Sequence, residues 1–140
     1  MSRKRLSLLS LAVLVVNQAG AHHSYAMFDA KSVTVLRGTV VSFSYLNPHS
    51  WISVLGTIGD AKSPVRWDIE ATAPSYLARI GISPDTLKAE DKVTVAFHPL
   101  RDGRHGGSLV LLVTPDGVVH GAKPADVGLD PNSLAPKLQQ

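Results

Sequence analysis

Six histidines are the residues of this chain best suited to chemistry: His22, His23, His49, His98, His105 and His120. There is no cysteine, so thiolate ligands, disulfides and a lipid-modified cysteine are excluded. The first two histidines stand in AGAHHSYAMFD, directly after Ala19-Gly20-Ala21. Small residues at that spacing are what a signal peptidase accepts before its cut. Cleavage between Ala21 and His22 would leave a first residue with both an α-amine and an imidazole. An α-amine titrates at about 7.7–8.0, well below a lysine at about 10.4, so it can bind a cation near neutral pH. The two nitrogens close a chelate ring on one ion. A third nitrogen from the body of the domain completes a T-shaped set suited to Cu(II), which takes imidazole and amine donors ahead of other first-row divalent ions. His23 offers a second route, because an imidazole in position two can bind copper jointly with the amine and the intervening amide nitrogen.

The third donor is expected from a loop or strand end. His49, in LNPHSW and fixed from behind by Pro48, is preferred. His23 and His98 come next, the latter at a strand end beside Pro99. His105 lies in an RHGG turn and His120 near the start of the tail. The expected metal set is therefore His22, His23, His49 and His98, with copper as the ion. A lone loop histidine is more often a surface residue than a ligand. The N-terminal pair differs, because it needs only one cut and one more imidazole.

Other chemistries find less support. Asp68 and Glu70 alternate onto one strand face, about 7 Å apart, a spacing that a pair of catalytic carboxylates can use. Arg66 shares that face and offsets their charge, so the trio reads as a solvated surface. The glycines of RDGRHGG have no helix behind them and make no phosphate loop. No residues read as a catalytic set, and an enzyme is not the favoured reading.

Charge supports export rather than nucleic-acid binding. The chain has 14 Lys plus Arg against 11 Asp plus Glu. Arg3, Lys4 and Arg5 precede an apolar run, Leu6 to Val16, broken only by Ser7 and Ser10. This is the layout of a signal peptide, and eleven residues fall short of the roughly 20 needed to span a bilayer. Removing residues 1–21 takes away those three bases and leaves 11 against 11. The basic excess belongs to the export tag, so no nucleic-acid partner and no membrane span are expected of the mature chain. It is expected to be periplasmic or secreted.

The remaining chain must position the histidines with strands. In SVTVLRGTVVSFSY, a period of two puts Val33, Val35, Val41, Phe43 and Tyr45 on one face, with Gly38 as a bulge or bend. WISVLGTI is a second strand and PVRWDIEA a third, with Val65, Trp67 and Ile69 on one side. TAPSYLARIGI breaks the alternation and predicts one short helix: Pro74 in its first turn, Gly81 at its exit, and Tyr76, Leu77 and Ile80 as its apolar side. KVTVAFHPL, SLVLLVT and a short VVH complete the strands, and Trp51 and Trp67 are expected in the core or at its mouth. The order predicts a mainly β fold: an OB-like, partly open barrel of five to six strands, with a helix between strands three and four. The domain is bounded at 22–121, with signal peptide 1–21 before it and a flexible tail, 122–140, after it.

AHHSYAMFD, RGTVVSFSYLNPHSWISV, WDIEA and LKAEDKVTV together resemble a family of small exported bacterial domains of unknown function. Its members mature to an N-terminal His-His-Ser and carry an internal Asn-Pro-His. The resemblance runs from His22 to Gly121 and implies export and a β-rich fold, but no activity. A more distant likeness, through His22 alone, is to copper carriers and oxidative polysaccharide-cleaving enzymes that begin with histidine. It is a likeness of chemistry, not of descent. The expected function is an exported module that binds copper or a similar metal through His22. The alternatives are a non-enzymatic barrel for a small ligand or a periplasmic protein partner without metal and, less favoured, a copper-dependent oxidative enzyme.

Overall fold

The β-branched and aromatic alternation of residues 34–44 forms β1 (Thr34–Ser44), the longest strand and the one around which the others wrap. A computed structural model of the chain describes residues 25–135; the expected signal peptide, His22 and His23 lie outside them. The elements after β1 are β2 (Trp51–Ile58), β3 (Val65–Glu70), α1 (Pro74–Arg79), β4 (Lys92–Pro99), β5 (Gly106–Val113) and β6 (Val119–Gly121). Three short 3-10 turns, Tyr25–Met27, Pro124–Val127 and Pro131–Ser133, flank them. The sheet order is β3-β2-β1-β4-β5-β6. A parallel pairing of Asp68–Glu70 with Gly106–Ser108 joins β3 to β5. Five strands thus close into a mixed OB-like barrel, and β6 is added outside it on β5. The expected architecture is present, with its helix between β3 and β4, and the barrel is closed.

Closure depends on two glycines expected to be part of a turn. Gly106 and Gly107 instead begin β5. A Cβ on Gly106 would lie 2.7 Å from the Asp68 carbonyl oxygen. One on Gly107 would run into the Phe97 ring and the His98 carbonyl. Only glycine lets β3 approach β5 here while Phe97 fills the interior behind them.

The interior is packed by Leu36, Val40, Ile52, Val54, Ile69 and Phe97, joined by Leu77 of α1 and by Ile82 and Leu87 of the link beyond it. The phase of β1 differs from the simple alternation. Its register slips between Val40 and Ser42, so the bulge lies at Val41, while Gly38 pairs directly with Gly56. Leu36 and Val40 face inward before the bulge, and Phe43 and Tyr45 pack on the core after it. Val33 and Val35 face the other way, and Val41 is exposed. An extra residue flips every side chain on one side of it, which a period-2 count cannot register. Tyr76 is exposed as well, leaving Leu77 and Ile80 as the apolar side of α1.

Val33 and Val35 belong to a second apolar cluster on the outside of the barrel. It contains Ala96, Leu111, Val113 and Leu134, with Val127 and Leu129 against them. The stretch from residue 122, read as a loosely held tail, supplies three of these residues, and Leu134 is only 1% exposed. The consecutive apolar residues of SLVLLV reflect burial on both faces of β5: Leu112 lies inside, and Leu111 and Val113 lie under the tail.

Two stability effects follow. Gly107→Ala should cost about 1–3 kcal/mol or more, the usual scale of overpacking. Leu134→Ala should cost about 2–5 kcal/mol, as a buried leucine truncation does. Urea unfolding monitored by tryptophan fluorescence measures both; wild-type midpoints would show that closure and tail packing contribute nothing.

Candidate functional site

Closing the barrel aligns one row of outward residues across four strands. Trp51 on β2 pairs with Glu70 on β3, Glu70 with Ser108 on β5, and Ser108 with His98 on β4. Neighbouring strands lie about 4.8 Å apart, so Glu70 and His98 have Cα atoms about 10 Å apart across Ser108. His49 precedes Trp51 by two residues and reaches the same row.

Both histidines of this row are held by one ring nitrogen. His49 Nδ1–H donates to the Glu70 carboxylate. The His49 side chain is 42% exposed and that of Glu70 13%, so the carboxylate orients the ring from the protein side. His98 Nδ1–H donates to the Ser32 carbonyl at 2.8 Å. A carbonyl has only lone pairs to offer, so the proton of a neutral His98 ring sits on Nδ1 and leaves the Nε2 lone pair free. Metal-binding histidines are commonly held this way, one nitrogen tied to a carboxylate or carbonyl and the other presented to the ion.

The segment leading to the N-terminus lies beside His98. Phe28 forms a bridge with Leu100, and Asp29 N–H donates to the Pro99 carbonyl at 2.8 Å. Arg101 donates from its backbone N–H to the Met27 carbonyl at 2.9 Å and from Nε to the Ala26 carbonyl at 3.1 Å. Phe28 is buried, so the segment is fixed by packing as well as by hydrogen bonds.

The remaining sequence candidates stand apart. His105 is stacked on Trp67 with centroids 4.7 Å apart. His120 Nδ1–H donates to the Ile80 carbonyl at 3.0 Å, on the α1 side of the fold. Among the described residues, no three His, Asp or Glu side chains converge on a common point. His49 or His98 can each supply one nitrogen, not a complete set; His22 and His23 are outside the described residues. Arg66 pairs with Asp68 at 3.2 Å, and Ser53 Oγ–H donates to that carboxylate at 2.5 Å. This agrees with a balanced outer face. Trp67 is at the core, tilted against Phe97 at 5.6 Å. Trp51 differs from expectation: it faces outward and is 44% exposed, because Ile52 and Val54 take the inward positions of β2.

Residues 10–109 match the profile of DUF6152, a family of unknown function. The chain belongs to DUF6152. The region matched to DUF6152 includes His22–Ser24 and Asn47–His49 and ends inside β5. No match was found among curated proteins or among solved structures. No helix among the described residues is long and apolar enough to cross a membrane.

Asp29 gives this segment a pH dependence. Its carboxylate is held below the usual 3.8, first by the Ser32 hydroxyl at 2.6 Å, then by the Lys31 N–H and the Arg101 guanidinium. A lowered folded pKa contributes stability above the unfolded value and loses it as pH falls through the folded one. Docking of residues 25–32 on β4 should therefore weaken as pH falls below the usual carboxylate value of 3.8 and through the lower folded one, while Asp29→Asn should remove that dependence. Amide exchange at Asp29 and Arg101 reports it; an identical acid profile in the variant would show that Asp29 has no part.

Proposed function

We propose that this chain is an exported binding module which, after cleavage between Ala21 and His22, takes up copper or a similar ion. The amine and imidazole of His22 would supply two donors and His98 Nε2 the third. The observation that carries this reading is His98 itself, with Nδ1 tied to Ser32 and Nε2 free, at the strand end that the N-terminal segment pairs with. His22 lies three residues before Tyr25, a reach of at most about 11 Å. The sequence alone favours His49 as partner. His98 is the better candidate, because its hydrogen bond is to the N-terminal segment while that of His49 is to Glu70. The donors fit Cu(II): nitrogen ligands with no thiolate.

His22 and His98 would hold the ion, which would supply a Lewis-acidic centre for an exchanging ligand. The protein's own part is to hold the His98 ring in place through the Ser32 carbonyl, with its Nε2 presented to the ion. The competing reading, a barrel that binds an organic ligand or a protein without metal, draws on Trp51 and Leu46. These are 44% and 62% exposed beside His49.

Isothermal titration with Cu(II) separates the readings. Protein starting at His22 should bind one ion, and one extra residue before His22 should weaken binding at least about tenfold, or about 1.4 kcal/mol. His98→Ala should weaken it similarly and His49→Ala much less. Equal affinity with and without the extra residue would exclude the amine-containing site, and no binding by either form would favour the metal-free reading.

A further inference from the structure

A second site is carried by the opposite end of the outer face. A groove of about 1020 Å³ crosses β2, β1 and β4, and its lining includes Arg37, Thr39, Thr57, Lys62, Lys92 and Thr94. Thr94 and His98 are four residues apart on β4, about 13 Å along the strand, so this groove is separate from the histidine row.

Its polar groups are only partly satisfied. Arg37 Nη2–H donates to the Ser133 carbonyl at 2.5 Å. Its Nε is buried without a hydrogen-bond partner. Among the described residues, no carboxylate pairs with this guanidinium. Thr94 is fully buried, and its Oγ is also without a partner. Arg37 and Thr94 are direct partners across the β1–β4 ladder, which puts their Cβ atoms about 4.5–5.5 Å apart. Two adjacent buried polar groups lacking partners are uncommon in a native fold and call for an occupant. Lys92 Nζ donates to Thr39 Oγ at 2.8 Å, which keeps its ammonium at the groove, and Lys62 lines the hairpin side. Arg37, Lys62 and Lys92 outnumber the two acids of the lining, Glu90 and Asp91, by one charge. Asp91 accepts the Lys88 N–H at 2.8 Å, and Glu90 is exposed.

We infer that this groove binds a compact oxyanion, a phosphate or carboxylate group, on the Arg37 guanidinium and the Thr94 hydroxyl. A guanidinium offers a planar fork of N–H donors matched to two oxygens of either group. The Ser133 carbonyl, a neutral acceptor, now holds one arm of that fork, and an anion is the stronger acceptor for the rest. Thr94 supplies a hydroxyl donor to one of the same oxygens, and Lys62 and Lys92 balance the remaining charge.

Separate titrations of the full mature protein with inorganic phosphate and with citrate, followed by calorimetry and by arginine side-chain NMR, test this. At least one should bind saturably and shift the Arg37 Nε–H signal. A preference for phosphate assigns a phosphoryl ligand, and a preference for citrate a carboxylate. Arg37→Gln should weaken binding at least tenfold. Thr94→Val should weaken it several-fold while leaving the unfolding temperature of the free protein unchanged or higher, since it removes an unpaired buried hydroxyl. The valine variant decides the matter if Arg37→Gln does not fold. No saturable binding by either anion, or binding that Thr94→Val leaves unaltered, overturns the inference.

Discussion

The parallel pairing of β3 with β5 is the contact on which the rest of the molecule depends. It joins β3, at one end of the sheet, to β5, next to the other end, and only three residue pairs make it. The backbones approach closely there because Gly106 and Gly107 carry no side chain at the point where Asp68, Phe97 and His98 crowd in. Without it, β1, β2 and β3 would form a meander with a free edge, and Ile69 and Trp67 would lose the far wall of their core. With it, residues separated by long stretches of chain line up across the outside. Glu70 and His98 come to share one row.

Most strands were legible because their signals are local. The existence of β2, the alternation in β3 and β4, and the Pro74 and Gly81 boundaries of α1 depend on neighbouring residues and agree with the structure. What escaped was non-local. The bulge at Val41 reverses the phase of β1, and nothing in TVVSFS marks which valine is the extra one. Trp51 reads as a core residue by type, but its side is set by the register with Glu70. The His49–Glu70 pair was hidden for the same reason: each residue was visible, but their meeting depends on the register of β2 with β3. The continuous apolar run in β5 was the one local clue to the second cluster. It shows that both faces are covered, though not that Leu134 covers one of them.

The candidate site is divided in the same way. The sequence offers a short roster of imidazoles, and the proposed cut after Ala21 would make His22 a donor pair. The fold adds a criterion for choosing among them, namely which ring nitrogen is already occupied and by what. His105 is engaged with Trp67, His120 with α1, and His49 with Glu70. His98 is bound to the segment that leads to the N-terminus. A binding site completed only by export and cleavage would stay incomplete in the precursor, because the peptide bond from Ala21 abolishes the free amine. Metal loading would then be confined to the processed protein, a consequence of chemistry at one bond rather than of any movement of the barrel.

The central claim is that the ion sits where the N-terminal segment meets the end of β4. Paramagnetic broadening tests it directly: Cu(II) is added in small proportion to isotope-labelled protein beginning at His22, and amide signals are followed by NMR. The account predicts selective loss of signals from Ser32 and from Phe97 to Leu100, while Lys92 to Thr94 and the residues around His120 persist. Loss centred on His49 and Trp51 without His98, or broadening that ignores the N-terminus altogether, would contradict it.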